Sequence, residues 1–166
     1  MAEPMKPDDF EARVLSFEQA WQGDSPPTIA NFLPASLVPD DRRRLLQELV
    51  CIDLEYRWQH AETDKQITRF SVVDYLREFP ELGDSPERFR DLASEEYRVR
   101  HCWGDQPNHA EFLAQFDEHQ NEIAQTLRQV DRELETERET ESSPRTISPD
   151  SGATPSGETF DPRAPL

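Results

Sequence analysis

Apolar side chains recur along this chain at the spacing of an α-helix, most clearly in two stretches, 41–60 and 119–138. In each stretch the apolar positions follow one another at intervals of four, three and four residues, which places them on one stripe of a helix. These positions are Leu45, Leu49, Ile52 and Tyr56 in the first stretch, and Ile123, Leu127, Val130 and Leu134 in the second. The remaining faces are strongly charged, so both stretches are predicted to be amphipathic helices.

Start and stop signals predict two more long helices. One runs from Phe10 to Trp21. The other opens at Ser85-Pro86, where Ser suits the N-cap and Pro the first helical position, and it runs to about Trp103 before the C-cap candidate Gly104. Together with the short elements described next, this pattern predicts an all-α fold with five or six helices and no sheet of consequence.

Three short segments share one pattern: a good N-cap residue, an Asn, Asp or Glu three positions later, and then an aromatic residue followed by Leu. The segments are Thr28–Leu33, Ser71–Leu76 and Asn108–Leu113. The pattern resembles a capping box at the start of a short helix, and Glu111 fits it better than Asn31 or Asp74 does. Each segment is therefore predicted to be a capped short helix that turns its aromatic-Leu pair toward a core.

Each short segment follows a longer helical stretch that ends near a tryptophan, namely Trp21, Trp58 or Trp103. The tryptophans are predicted to pack at helix ends, and a stripe for binding a partner is the alternative. The chain thus reads as a helical repeat bundle of about three helix-pair units, each of which needs its neighbours to bury its apolar face. Ten residues are predicted to be mostly buried: Leu45, Leu49, Ile52, Tyr56, Tyr75, Leu76, Phe112, Leu113, Ile123 and Leu127.

Composition divides the 166 residues into three regions. Residues 1–8 read as a flexible arm and residues 9–136 as the helical domain. Residues 137–166 are rich in Ser, Thr, Pro and Glu and have few large apolar side chains, so a disordered tail or linker is expected there. The tail holds three Ser/Thr-Pro pairs, which are either autophosphorylation sites of a parent kinase or ordinary linker composition: Ser143-Pro144, Ser148-Pro149 and Thr154-Pro155.

Charge narrows the classes of partner. Eighteen Lys and Arg stand against 35 Asp and Glu, for a formal net charge of −17. Nucleic acids and anionic membrane surfaces require a basic face, so neither is an expected partner. The N-terminus lacks the apolar run of a signal peptide, and no apolar run approaches the length of a membrane span. A cytoplasmic protein is the default expectation.

The repeat pattern resembles the N-terminal regions of bacterial eukaryotic-like serine/threonine protein kinases, the multidomain type abundant in planctomycetes. The likeness covers about residues 10–135. The segments that carry it are Trp21, Gly23 and Phe32-Leu33, then Arg44–Leu49 and Asp53–Arg57, and then Asp74–Leu76 and Phe79–Leu82. The end of the chain, Asp-Pro-Arg-Ala-Pro-Leu, is similar to the linker that precedes the catalytic domain in such kinases.

The resemblance implies a regulatory or docking region rather than a catalytic one. Residues 62–69 depart from the Gly and Pro usual in that family, and the chain contains no glycine-rich loop, no His-Arg-Asp and no Asp-Phe-Gly. Nothing in the sequence therefore supplies the groups that hold Mg²⁺ and phosphates. No catalytic and no cofactor-binding residue is predicted.

The sequence also gives only weak signals for other catalytic residues or for a metal site. His101, Cys102 and His109 lack the paired spacing of structural zinc ligands, so no metal site is predicted. Cys51 and Cys102 carry no nucleophile signature, and a single disulfide between them stays open. Lys6 and Lys65, the only lysines, lie in the arm and in a polar connector.

Three hypotheses about function follow. The first is a non-catalytic regulatory or docking module of a Ser/Thr kinase, binding the kinase domain or its substrate. The second is a stand-alone helical adaptor that binds a protein partner. The third, a small enzyme, would need a deep pocket with convergent titratable groups.

Overall fold

The computed structural model describes residues 3–142, which form six α-helices and two 3₁₀ turns and contain no strand. The helices are α1 (Pro7–Ala20), α2 (Pro39–His60), α3 (Val72–Glu78), α4 (Pro86–Trp103), α5 (His109–Leu113) and α6 (Gln120–Ser142). The 3₁₀ turns are Ile29–Phe32 and Pro80–Gly83. The prediction of an all-α fold is confirmed for this part of the chain.

Helix boundaries follow the local signals closely. Helices α1, α2 and α4 each have Pro in the first turn, where its missing N–H leaves no bond unmade. The Ser85 hydroxyl accepts the Arg88 N–H at 3.4 Å, and α4 ends before Gly104, as predicted. A side chain at Gly104 would collide with the indole of Trp58, because its Cβ would lie 2.6 Å from Cζ3. Glycine is thus required there by close packing.

Helix α6 continues past residue 136, where the sequence placed the start of the tail. The Thr136 and Thr140 hydroxyls donate to the carbonyls of Arg132 and Thr136 at 2.8 and 2.9 Å. The other residues here are mainly Glu and Arg, which lose little rotamer freedom in a helix, so a helix persists without an apolar stripe. The rest of the predicted tail, with its three Ser/Thr-Pro pairs, lies outside the described residues.

At the other end of the chain, part of the predicted arm is also ordered. Helix α1 begins at Pro7, and the Met5 N–H donates to Asp41 Oδ2 at 2.6 Å. This bond ties the segment before α1 to the first turn of α2.

The long helices pack in chain order, α1 on α2, α2 on α4 and α4 on α6. Between successive long helices lies a short element: the turn Ile29–Phe32, α3 with the turn Pro80–Gly83, or α5. This is the predicted arrangement of about three helix-pair units.

Hydrogen bonds define which residues are equivalent in the units. Trp58 Nε1 donates to the carbonyl of Phe70 at 2.9 Å, and His101 Nε2 lies 3.0 Å from the carbonyl of Pro107. Both carbonyls directly precede the N-cap of the next short helix. Trp58 therefore corresponds to His101 rather than to Trp103, so the tryptophans near the three helix ends do not occupy one equivalent position.

The short helices differ in their caps. In α3 the Asp74 carboxylate accepts the backbone N–H and the hydroxyl of Ser71, both at 2.8 Å, and in α5 Asn108 and Glu111 bond reciprocally at 2.9 and 3.1 Å. In the first unit Thr28 makes no side-chain cap bond, and a 3₁₀ turn forms in place of an α-helix. The capped short helix is thus confirmed for α3 and α5 and wrong for the first segment.

The core is continuous through all units and contains seven of the ten predicted residues: Leu45, Leu49, Ile52, Tyr75, Phe112, Ile123 and Leu127. The other three, Tyr56, Leu76 and Leu113, are only partly buried against it. Tyr56 is stacked between the rings of Trp21 and His60, with its hydroxyl at the surface. Leu76 and Leu113 occupy equivalent positions late in the two short helices, at the edge of the core.

Candidate functional site

The residues considered for a metal each make other contacts or face solvent. His101 Nε2 faces the carbonyl of Pro107, His109 Nε2 lies 2.8 Å from Asp131 Oδ2, and Cys102 is exposed. Between residues 3 and 142, no group of three or more His, Cys, Asp or Glu side chains is placed to hold a metal ion. Cys51 and Cys102 are both free thiols.

Among residues 3–142, two carboxylates are buried, and they are equivalent in the repeat. Asp53 on α2 accepts from Arg57 Nε and from the Tyr75 hydroxyl, both at 2.6 Å. Glu96 on α4 accepts from the Val72 backbone N–H at 2.8 Å and from Arg100 at 3.0 Å. Each carboxylate thus joins a long helix to α3, and each is paired with the arginine one turn further along its own helix.

Burial raises the pKa of Asp53 and of Glu96, and the neighbouring arginine opposes the rise in each case. Raised carboxylate pKa values are also found in acid–base catalysts. Here, however, the two carboxylates are enclosed by protein and bonded within it, at 1 and 0 % exposure. The arrangement therefore holds helices together and offers no proton to a substrate.

A third polar cluster joins α4, α5 and α6. Asp131 accepts from the Tyr97 hydroxyl at 2.7 Å through one oxygen and faces His109 Nε2 at 2.8 Å through the other. Burial raises the pKa of Tyr97, and so does its hydrogen bond to Asp131. A histidine–carboxylate pair orients a general base in many enzymes. Here the tyrosine bonds the carboxylate and not the imidazole, so the cluster lacks the order of a nucleophile–base–acid relay.

An open groove, the inter-unit groove, lies between α3 and the turn that joins α5 to α6. Its volume is about 310 Å³. Its lining residues come from α3, the second 3₁₀ turn, the start of α4 and the α5–α6 turn: Val73, Leu76, Gly83, Phe89, Gln115, Phe116, Asp117, Glu118 and His119. Residues from the second and third units therefore form it jointly.

The floor of the inter-unit groove is apolar and well supported. Phe89 and Phe116 meet edge to face with ring centroids 5.3 Å apart, and Phe116 packs in turn on Phe112 at 5.5 Å. Leu76 and Val73 complete this apolar floor, and both are partly exposed. Val73 and Leu76 are therefore partly open to solvent beside the nearly buried rings of Phe89 and Phe116, and such a surface suits the binding of another apolar side chain.

One edge of the inter-unit groove is acidic. Asp117 and Glu118 are exposed in the α5–α6 turn, and the side chain of Glu118 is 86 % exposed. His119 Nε2 lies 4.0 Å from Glu118 Oε2. The described residues that line the groove include no lysine or arginine. The groove therefore combines an apolar floor with an anionic edge.

Sequence reasoning did not predict this groove, although one signal was present. Position 73 carries Val, whereas the equivalent positions of the other two units carry Ala30 and Ala110. A larger apolar side chain beside the buried Val72, at a position that stays partly exposed, marks α3 as the short helix with surplus apolar surface.

The described part of the chain also has a more polar surface cleft. This cleft lies between α4 and α6, where it is lined chiefly by charged and amide side chains, and there Arg98 bonds Glu133 at 2.7 Å. None of the helices within residues 3–142 has the length and the apolar run needed to cross a membrane.

Comparisons with models of protein families, with curated proteins and with solved structures gave no match for this chain. The resemblance to kinase N-terminal regions, the expected cytoplasmic location and the exclusion of nucleic acid therefore stay predictions.

Proposed function

We propose that this chain is a non-catalytic docking module that binds a segment of a protein partner in the inter-unit groove. The observation that supports it is the groove itself, which is lined by the partly exposed Leu76 and Val73 together with the Phe89–Phe116 pair. The buried carboxylates, in contrast, are bonded within the protein. The chemistry on the surface suits recognition rather than bond making.

The resemblance to kinase N-terminal regions favours one setting for this module. In that setting it is the docking or regulatory region of a Ser/Thr kinase, and the partner is the kinase domain or its substrate. A stand-alone adaptor is the alternative, and the groove would serve both. A reading frame that continues into a glycine-rich loop would distinguish the first setting from the second.

Selection of peptides from a random displayed library against the full chain tests the docking function. We expect the selected peptides to bind in the inter-unit groove. Leu76→Gln should weaken them by about 10-fold or more, since burying a leucine is worth about 1.5–3 kcal/mol. Leu15→Gln makes the same change at a leucine of α1 that is 53 % exposed and distant in sequence, and it should leave binding unchanged.

A second variant guards against loss of folding. Val73→Ala installs the residue that the other two units carry at this position, so the fold should tolerate it, while peptide binding should still weaken by a few fold. Circular dichroism tests whether each variant is folded. Selection that yields no binder, or binders indifferent to both Leu76→Gln and Val73→Ala, would refute a docking function at this site.

A further inference from the structure

We infer that the inter-unit groove recognises a basic segment of a protein, in which one large apolar side chain is flanked by Lys or Arg. This inference rests on the proposed docking function and adds the chemistry of the partner. It draws on three observations: the size of the groove, the charge of its edge and the charge of the whole chain.

The size of the groove sets the apolar part of the partner. A volume of about 310 Å³ lies at the lower end of the roughly 300–1,000 Å³ typical of ligand pockets. The groove is open to solvent and has a short apolar floor of Phe89, Phe116, Leu76 and Val73. It therefore accommodates one large aliphatic or aromatic side chain, and not the several anchors of an amphipathic helix.

The edge of the groove sets the charged part. Asp117 and Glu118 stand directly beside the floor residue Phe116, and no cationic Lys or Arg shares the lining within the described residues. A segment that inserts its apolar side chain past Phe116 brings its neighbouring residues against these two carboxylates. Lys or Arg at those neighbouring positions gains an ion pair, whereas Asp or Glu meets like charge.

The charge of the chain acts in the same direction at longer range. A net charge of −17 attracts cationic segments and speeds their encounter with the protein. It also argues against a second copy of the chain as the occupant, because two copies repel each other. The chain's own Phe160 is a poor fit as well, since Glu158 and Asp161 flank it.

Fluorescence anisotropy with labelled peptides tests the inference on the full chain. The probe is a ten-residue peptide with one central Phe flanked by Lys. Two matched peptides carry Ala in place of Phe, or Glu in place of Lys. We expect measurable binding of the probe, a loss of 10-fold or more for the Ala peptide, and no binding of the Glu peptide.

Protein variants then test which carboxylates attract the lysines of the probe. Asp117→Asn combined with Glu118→Gln should weaken the probe by about 3- to 10-fold, as expected for two exposed ion pairs. Asp24→Asn combined with Glu11→Gln removes the same charge from exposed positions in and after α1 and should change binding by less than 2-fold. Raising the salt concentration should reduce the difference in probe affinity between the two double variants.

Several results would overturn the inference. One is equal weakening by the two double variants, or equal binding of the Phe and Ala peptides, since either means general attraction to an acidic protein. Another is tighter probe binding after Phe160→Ala, which would assign the groove to the C-terminal segment of the chain. Library peptides that depend on Leu76 but lack Lys and Arg would also overturn it, while leaving the docking function intact. Absence of any groove-dependent peptide would instead refute the docking function itself.

Discussion

Tyr75 joins the apolar core to the buried Asp53, so its replacement separates two contributions to stability. The side chain is 1 % exposed, its ring meets Phe70 at 5.6 Å, and its hydroxyl donates to Asp53 Oδ2 at 2.6 Å. Tyr75→Phe removes the hydroxyl alone, and Tyr75→Ala removes the ring as well. Phe is also the natural residue at the equivalent position of the third unit, Phe112, so the ring itself fits such a site.

The expected magnitudes follow from these contacts. A hydrogen bond to a charged group contributes about 1.5–3 kcal/mol, and Asp53 Oδ1 is already without a partner among the described residues. We therefore expect Tyr75→Phe to lower the free energy of unfolding by about 1.5–3 kcal/mol. Tyr75→Ala leaves a large cavity in addition and should cost at least the 3–5 kcal/mol typical of buried aromatic residues.

Urea unfolding followed by far-UV circular dichroism measures both changes. Tyr56→Phe is the matched control, because its hydroxyl is at the surface and meets Gln22 only at 3.5 Å; we expect a change below about 0.5 kcal/mol. If Tyr75→Phe costs no more than Tyr56→Phe, the bond to Asp53 does not stabilise the fold. If Tyr75→Ala costs under about 1 kcal/mol, the ring does not fill the core.

Three further outcomes are expected. Burial raises the pKa of Asp53 and of Glu96 above their unfolded values. The stability that each group contributes is therefore full below about pH 4 and falls as the pH rises through the folded-state pKa. Asp53→Asn and Glu96→Gln should each flatten this fall in urea unfolding at a series of pH values, and an unchanged slope would contradict the reasoning. Gly104→Ala should lower the free energy of unfolding by about 1–3 kcal/mol, because its Cβ would meet Trp58. Gly83→Ala, whose Cβ would have its nearest neighbour at 3.5 Å, should lower it by less than about 1 kcal/mol. Thermal or urea unfolding measures both changes. Incubation of the purified chain with labelled ATP and Mg²⁺ should give no phosphate transfer, because no clamp for a nucleotide is present in the sequence; reproducible autophosphorylation would overturn the non-catalytic interpretation.

The helices were predictable because their signals are local. The stripe of Leu45, Leu49 and Ile52 specifies a helix whatever packs on it, and Ser85-Pro86 with Gly104 marks the start and the end of α4. Such signals depend on backbone geometry within a few residues, so they can be recognised without knowledge of the tertiary structure.

The register of the repeat was not predictable, because it depends on bonds across connectors of unequal length. Trp58 reaches the carbonyl of Phe70 across a long connector, whereas His101 reaches that of Pro107 across a short one. Spacing alone therefore paired Trp58 with Trp103. The exposure of Tyr56 and the inter-unit groove were missed for a related reason: both depend on where neighbouring units leave a side chain uncovered.

The two buried carboxylates, too, carried no clear signal in so acidic a chain. Asp53 and Glu96 resemble their many neighbours in sequence, and only the fold separates them from solvated acids. The arginine four residues after each, Arg57 or Arg100, is the one trace of their pairing.

As far as the structure describes the chain, the first unit lacks the buried carboxylate bonds that hold the other two together. Ser16 occupies the position equivalent to Asp53 and Glu96, and its hydroxyl donates to the carbonyl of Ala12 in its own helix. Trp21 stands where the others have Trp58 and His101, but within the described region its Nε1 donates to no acceptor. The C-terminal end of α1 is thus attached chiefly by apolar packing, with Arg57 over the Trp21 ring at 5.6 Å and a 3.5 Å contact from Gln22 to the Tyr56 hydroxyl. Its amide protons should exchange with solvent deuterium before those of α2 and α4, because local opening there breaks fewer bonds than global unfolding does.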